Sequence, residues 1–199
     1  MYTGMHHLAF ITKDLEATIR FYRDLLGFPL VAGLGNNSFK HYFFKVTEKD
    51  QIAFFAYDIA QPMERKFHGV PTHLPLGFAH LAIGINSKSS LFEMKDRVEA
   101  AGFQVMGPVD HGIGWSIYFF DPNGIPLEFV WANLELTHLP LVGDEDPPQA
   151  ALEGSAPQPG HWPQVTRPTP KSEWQAYPGA GYELRPKALA NKQGFIVNE

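Results

Sequence analysis

Two stretches of the chain repeat one order of apolar and polar positions, which predicts two copies of the same structural unit. In the first, residues 5–11 are typical of a β-strand, and Asp14 lies where a helix N-cap is expected. A helical apolar face follows at Leu15, Ile19, Tyr22, Leu25 and Leu26, and Gly27 ends that helix. Three further strands are predicted, at residues 29–34, 41–46 and 51–57.

The second unit begins at residues 78–85, whose sequence F-A-H-L-A-I-G-I resembles the first strand, M-H-H-L-A-F-I. A helical face follows at Leu91, Met94, Val98 and Ala101, with Ser90 and Glu93 at capping-box spacing. Three more strands are predicted, and the last ends at Trp131. We therefore expect an α+β fold of two βαβββ modules, at about residues 5–58 and 78–132, with mostly antiparallel sheets. Residues 59–77 lack periodicity and are predicted to be a connector.

A Pro-rich extension, residues 133–199, is predicted to follow the paired domain of residues 1–132. Residues 144–170 are rich in Pro, Gly, Ala, Gln and Glu, a composition typical of extended or partly disordered chain. Apolar and aromatic residues return towards the C-terminal end. Two outcomes therefore stay open: this end docks on the domain or on a neighbouring subunit, or it stays disordered.

Charge and composition exclude several classes of function. The 199 residues carry a net charge of −5 with a pI near 6.0, which argues against a nucleic-acid or anionic-membrane partner. Without cysteine, the chain forms neither a disulfide nor a thiolate metal site. We expect a cytoplasmic protein, because the N-terminus lacks a signal-peptide pattern and no apolar stretch approaches the length of a membrane span.

The stretch from His111 to Glu128 carries the strongest candidate chemistry. Asp-Pro-Asn-Gly at residues 121–124 predicts a turn between two strands that are rich in aromatic and β-branched residues. Glu128 then lies in the apolar run I-P-L-E-F-V-W. A lone carboxylate in such a strand is costly to bury unless it is paired or bound to a metal.

Two histidines are candidate partners of Glu128. His7 and His80 occupy equivalent positions on the first strands of the two units. Two neutral imidazoles and one carboxylate can hold a divalent ion and leave positions open, an arrangement typical of Fe(II) enzymes that Mn, Zn, Co or Ni also fit. A single histidine on an apolar strand is more often a hydrogen-bonded core residue. Here a histidine occurs at the equivalent position of both units, and this repeat together with Glu128 favours a metal site.

The opening M-H-H-L-A-F-I-T-K-D-L-E-A-T-I-R-F-Y-R-D-L-L-G-F resembles the first module of the vicinal oxygen chelate superfamily, and the similarity extends over residues 5–132. That superfamily includes glyoxalases, bleomycin-resistance proteins, fosfomycin-resistance thiol transferases and type I extradiol dioxygenases. The resemblance implies modules paired into a U-shaped mixed sheet around a metal held by His7, His80 and Glu128. It also implies a homodimer that acts on a small molecule.

A second resemblance is more specific for a reaction. The order V-D-H, five residues, I-Y, two residues, D-P-N-G, three residues, E is similar to the signature of type I extradiol dioxygenases. It implies that His111 is an acid/base or oxygen-contacting residue and that Tyr118 donates a hydrogen bond to a bound oxygen. Fe(II) would be the preferred metal and a catechol-like diol the substrate. The alternative for Tyr118 is a tyrosine that only packs in the core of its strand, and the alternative for His111 is an ordinary loop histidine.

Two positions depart from the patterns of these families. Ring-cleaving members place a further histidine just before a strand similar to Q-I-A-F-F, and here that position is Asp50. His68 or His73 of the connector can supply this base only if the connector folds inward. Many members have a glutamate after I-A-F-F, where this chain has Ala56. A fourth protein ligand is therefore missing from the pattern.

Three functions follow from these residues. An extradiol-type dioxygenase ranks first, because its signature spans residues 111–128 with the correct spacing. A glyoxalase-like isomerase, lyase or thiol transferase ranks second; its metal would act as a Lewis acid on vicinal oxygens. A metal-free ligand-binding resistance protein is the third, and the candidate metal ligands argue against it.

Overall fold

The repeat in the sequence is a repeat in the structure. A computed structural model describes residues 2–73, 77–137, 139–179 and 182. The first module contains β1 (Leu8–Thr12), α1 (Leu15–Ile19, continued by the π-helical turns Arg20–Leu25), β2 (Leu30–Asn36), β3 (Phe39–Lys45) and β4 (Gln51–Ala56). The second contains β5 (Leu81–Gly84), α2 (Lys88–Ala100), β6 (Met106–Asp110), β7 (Gly114–Phe120) and β8 (Pro126–Ala132). The predicted α+β fold of two βαβββ modules is confirmed.

Each module forms its own four-stranded mixed sheet, in which the first strand lies beside the last. The strand orders are β1-β4-β3-β2 and β5-β8-β7-β6. β1 runs parallel to β4 and β5 parallel to β8, whereas the other neighbours are antiparallel. β1 and β5 are therefore edge strands, whose outer backbone groups can pair with another chain.

The helix boundaries follow local signals in the sequence. The Asp14 side chain accepts a hydrogen bond from the backbone nitrogen of Ala17 at 2.9 Å, as predicted for an N-cap. Gly27 has φ +81° directly after the first helix, a backbone conformation that favours glycine. The predicted capping box of Ser90 and Glu93 is wrong. Ser87, one turn earlier, has extended backbone and accepts a hydrogen bond from the Ser90 nitrogen at 3.0 Å.

The two modules share one aromatic core. Phe21 of the first helix packs its ring 4.9 Å from Phe103 and 6.4 Å from Phe119, both in the second module. Phe21 and Phe119 are buried, and burying such a side chain stabilises the fold by about 1.5–3 kcal/mol. The Tyr22 hydroxyl also crosses between the modules, donating to the buried Asp121 carboxylate at 3.2 Å. The first helix therefore packs against both modules and holds the two sheets together.

The turn between β7 and β8 holds the connector in place. The Asp121 carboxylate accepts hydrogen bonds from the backbone nitrogens of Asn123 and Ile125, both at 2.8 Å. The Asn123 carbonyl in turn accepts a hydrogen bond from the Met63 nitrogen at 2.9 Å. Gly124 has φ +81°, and a Cβ there would lie 2.7 Å from the Met63 carbonyl oxygen. This close approach brings the middle of the connector against the second module.

The described chain divides into two compact units, Met1–Asn133 with the two modules and Leu134–Gly179 beyond them. The second unit holds one short helix, α3 (Gln149–Leu152), and one 3₁₀ turn, Lys171–Glu173. The Trp174 indole nitrogen donates to the Thr169 carbonyl at 3.1 Å. The expected docking or disorder of residues 183–199 lies outside the described residues. Within the described part of the chain, every helix is too short or too polar to cross a bilayer.

Candidate metal centre

Glu128 is the buried carboxylate around which the candidate site is built. It lies in the middle of β8 with 7% exposure, opposite Tyr118 of β7 and Ala82 of β5. Its neighbours in the strand, Leu127 and Phe129, belong to the core, because side chains alternate between the two faces of a strand. Glu128 therefore projects from the face of the second sheet opposite to the core.

His80 is the first partner of Glu128. It directly precedes β5, and its Nε2 lies 2.9 Å from the Glu128 Oε2. The other ring nitrogen, Nδ1, is buried and has no hydrogen-bond partner among the described residues. The structure thus brings together two of the three residues that the sequence predicts as metal ligands.

Tyr118 and His111 extend this pair into a chain of hydrogen bonds. The Tyr118 hydroxyl donates to Glu128 Oε1 at 3.1 Å, and His111 Nε2 lies 2.8 Å from the same hydroxyl. A hydroxyl has one proton, so His111 Nε2 must donate to the Tyr118 oxygen. Burial raises the pKa of Tyr118 above its ordinary value, and the Glu128 carboxylate raises it further, whereas Ser116 opposes the shift. Tyr118 therefore stays protonated and orients Glu128.

His7 lies on the other sheet. It precedes β1 and is exposed, and its ring neighbours include His6 at 4.9 Å, Phe43 at 5.5 Å and His41 at 6.0 Å between centroids. The His6 and His7 rings approach each other, with their Nδ1 atoms 2.7 Å apart, and both residues precede the strand. Within residues 2–73, 77–137, 139–179 and 182, no three His, Asp or Glu side chains converge as metal ligands.

The connector adds a histidine to the site. The His68 ring lies 4.3 Å from the Tyr118 ring and 5.0 Å from the His80 ring. Burial and the neighbouring His80 lower the pKa of His68 to about 4, although Glu128 opposes the shift. The connector thus folds inward at His68, the condition that the sequence set for its use as a base. Its irregular pattern contained no signal for this inward fold.

The other two candidate bases lie elsewhere. The Asp50 carboxylate accepts a hydrogen bond from the Thr47 hydroxyl, at 2.7 Å, within the turn between β3 and β4. His73 is exposed and lines a surface groove together with Glu64 and Val70. Of the three candidates, the structure places only His68 against His80 and Tyr118.

The donor set around Glu128 suits a divalent metal. A carboxylate and a neutral imidazole are ligands that Zn, Mn, Ni and Fe(II) accept, and here their donor atoms are already 2.9 Å apart. The unpartnered, buried Nδ1 of His80 is consistent with a histidine whose partner is not a protein group. Two donors fall short of the three protein ligands that catalytic metal sites usually have.

Comparison with known proteins assigns the chain to a family. A model of the Glyoxalase/Bleomycin resistance protein/Dioxygenase superfamily matches residues 4–129. A Vibrio parahaemolyticus protein named "Probable lactoylglutathione lyase" is 30% identical over 132 residues, which cover 62% of this chain and 87% of that protein.

Crystal structures of the fosfomycin resistance protein FosX from Listeria monocytogenes have the same fold. The hexagonal form is 26% identical, with a TM-score of 0.50, and covers 67% of this chain and 97% of FosX. The form complexed with Mn(II) and sulfate is 23% identical, with a TM-score of 0.51, and covers 67% of this chain and 96% of FosX. With the two βαβββ modules and the matched residues, this chain belongs to the Glyoxalase/Bleomycin resistance protein/Dioxygenase superfamily.

Proposed function

We propose that this protein is a metal-dependent lyase or isomerase of the glyoxalase type, which acts on a small molecule with vicinal oxygens. The observation that carries the proposal is the pair of His80 and Glu128, with Nε2 and Oε2 2.9 Å apart on the open face of the second sheet. Tyr118 donates to the second carboxylate oxygen, so that the ligand is held in one orientation.

We favour the lyase over the dioxygenase, which ranks first when the residue pattern of the sequence is considered alone. The curated relative at 30% identity carries the name of a lyase. Extradiol cleavage also needs a base for a phenol; Asp50, at the expected position, is engaged with Thr47, which leaves only His68 of the three candidate bases beside the site. The Tyr118 hydroxyl donates its one hydrogen bond to Glu128 and accepts one from His111, so it has no further proton to donate to a bound oxygen.

The third protein ligand in this proposal is His7 of a second copy of the chain. His7 and His80 each directly precede an edge strand, β1 and β5 respectively. Two copies can bring β1 of one chain next to β5 of the other, which would bury both edges. His7 of one copy would then face His80 and Glu128 of the other, and the homodimer would hold two equivalent sites.

Each residue has a defined task at this site. A divalent ion bound by His7, His80 and Glu128 would supply Lewis acidity towards the two oxygens of the substrate. Mn(II), Zn, Co, Ni and the Fe(II) that the sequence favours all suit two imidazoles and a carboxylate. Tyr118 fixes Glu128, and His111, which is exposed, fixes the Tyr118 hydroxyl from the solvent side.

The test begins with metal content. Protein prepared with each of Mn, Fe(II), Co, Ni and Zn is expected to retain about one ion per chain by elemental analysis. His80→Ala should lose the ion, whereas His73→Ala, which alters an exposed histidine of the connector, should keep it. Retention of the ion by His80→Ala would overturn the assignment.

The reaction is tested on the metal-loaded protein. We expect turnover of thiol adducts of α-oxoaldehydes, followed by thioester absorbance, and no oxygen uptake with catechols. Oxygen uptake with catechols and no thioester would restore the dioxygenase. Tight binding of small ligands with neither metal nor turnover would identify a resistance-type binding protein.

A further inference from the structure

His68 is a half-buried histidine of the connector. Both ring nitrogens are buried, and neither has a hydrogen-bond partner among the described residues. Buried polar atoms of this kind are rare, because each loses its bonds to water without replacement. A hydrogen-bond partner for either ring nitrogen of His68 would therefore remove an energetic cost.

Contacts with the second module hold the connector in place near His68. Its backbone is anchored by the hydrogen bond from the Met63 nitrogen to the Asn123 carbonyl, at 2.9 Å. Two residues later, the Arg65 guanidinium lies over the Phe120 ring, 5.2 Å from its centroid. Cation–π contacts of this length are favourable. These contacts with the end of β7 and with the β7–β8 turn hold the connector just before His68.

A cavity lies beside His68, between the connector and the second sheet. Its volume is about 150 Å³, and its lining includes Phe67 and His68 of the connector, Met106 of β6, and Tyr118 and Phe120 of β7. Most of the lining is apolar, and Tyr118 links the cavity to Glu128. An apolar cavity of about this volume in another protein binds benzene. The size and lining thus suit a ring-sized apolar group.

We infer that the connector builds a substrate pocket, in which the cavity takes a benzene-sized group and His68 hydrogen-bonds a polar atom next to it. The inference rests on the proposed metal site, because Tyr118 joins the cavity to that site. It defines the substrate class as an aryl-substituted compound with vicinal oxygens, such as the thiol adduct of an aryl α-oxoaldehyde, in preference to the methyl compound.

Two hydroxamates test the pocket without requiring turnover. Acetohydroxamate and benzohydroxamate both bind metals through two neighbouring oxygens, and they differ by a methyl and a phenyl group. Calorimetry with the Mn(II)-loaded protein should show benzohydroxamate binding roughly 10- to 100-fold more tightly, the gain expected from burying the ring. Equal affinities would overturn the pocket while leaving the metal site intact.

Variants separate the two parts of the pocket. Met106→Trp fills the cavity, so it should weaken benzohydroxamate binding far more than acetohydroxamate binding and thereby abolish the preference for the aryl compound. His68→Ala should weaken both hydroxamates by about 3- to 10-fold, the effect of one hydrogen bond, and His68→Asn should restore part of the loss. His73→Ala, an exposed connector histidine, is the matched control and should behave as the parent.

Metal content and stability decide what a change at His68 means. His68→Ala should keep its metal and unfold at the same temperature as the parent or higher, because it removes a buried polar group without a partner. Loss of metal would make His68 a ligand, and a clear fall in melting temperature would make it structural; either result overturns the inference. A parent that binds no metal would overturn the proposed function itself, and the inference with it.

Discussion

At the scale of single residues, the site is a chain of four polar groups that runs from the exposed His111 through Tyr118 and Glu128 to His80. Each contact is between 2.8 and 3.1 Å. Glu128 is the residue whose orientation matters most, because a buried carboxylate is costly unless hydrogen-bond donors surround it. Tyr118 is therefore a positioning residue in the proposed site.

Removal of the Tyr118 hydroxyl should weaken the metal site. Tyr118→Phe is expected to lower metal affinity about 10- to 100-fold, as loss of the group that orients a metal ligand usually does. Competition with a chelating dye measures the change. Tyr57→Phe, at a tyrosine with 42% exposure, is the control and should match the parent. If both variants bind metal equally well, Tyr118 does not hold Glu128 in the loaded site.

Tyr22 and Asp121 form a second buried polar pair, between the modules. Tyr22→Phe removes a donor to a buried carboxylate, and should lower the free energy of unfolding by about 1–3 kcal/mol. Tyr57→Phe should leave that free energy unchanged. Urea denaturation of both variants and the parent measures the effect, and an equal result for the two variants would mean that this hydrogen bond adds nothing to stability.

The same variant has a pH dependence with a definite sign. Burial raises the pKa of Asp121 above its ordinary value, so its contribution to stability is full below that value and is lost as pH rises through the raised pKa. The Tyr22 hydrogen bond lowers this pKa, and its removal raises the pKa further. The stability lost in Tyr22→Phe should thus be larger near pH 7 than near pH 4. A constant difference across that range would contradict this account.

At the scale of elements, the β7–β8 turn links the connector to the site. The turn residue Gly124 approaches the Met63 carbonyl so closely that a Cβ would lie 2.7 Å from it. The turn and the connector therefore depend on each other, although the sequence assigned them to different parts of the domain.

Paired glycine substitutions can measure this dependence. Gly124 and Gly27 have the same φ of +81°, but a Cβ at Gly27 would meet nothing within 4 Å. Gly27→Ala should cost about 1 kcal/mol of unfolding free energy through backbone strain alone. Gly124→Ala should cost at least about 1 kcal/mol more, because the connector must also shift. Equal losses in chemical denaturation would show that the contact with Met63 contributes nothing.

At the scale of the whole molecule, the proposed site needs two copies of the chain. In each proposed site, His7 comes from one copy of the chain and Glu128 from the other. His7→Ala and Glu128→Gln each remove one of these ligands, so each variant alone should lose most of its metal. Mixed after unfolding and refolding together, they form heterodimers in which one of two sites has both an intact His7 and an intact Glu128. With random pairing, about one quarter of all sites should then bind metal. No recovery would place His7 and Glu128 of one chain in the same site, or His7 outside it.

Local sequence signals predicted the two βαβββ modules and the ends of the first helix. Asp14 caps the first helix and Gly27 ends it, as their residue types predict, because capping and turn formation depend on neighbours within a few residues. The repeat also placed His80 and Glu128 in one module, where the adjacent strands β5 and β8 bring them together. The start of the second helix was predicted one turn too late, at Ser90, whereas Ser87 is the N-cap.

The places of the other candidate residues depend on contacts that the strand and helix patterns do not specify. It separated His7 from His80, because β1 and β5 belong to different sheets and strand pattern does not specify which edges meet. It directed the Tyr118 hydroxyl to Glu128, a contact between strands that depends on register. It also turned His68 inward and His73 outward, since the contacts of Met63 and Arg65 that fix an irregular connector come from residues far away in the chain. The helix ends depend on neighbours within a few residues, whereas the site depends on contacts between strands of the second module and between this module and the connector.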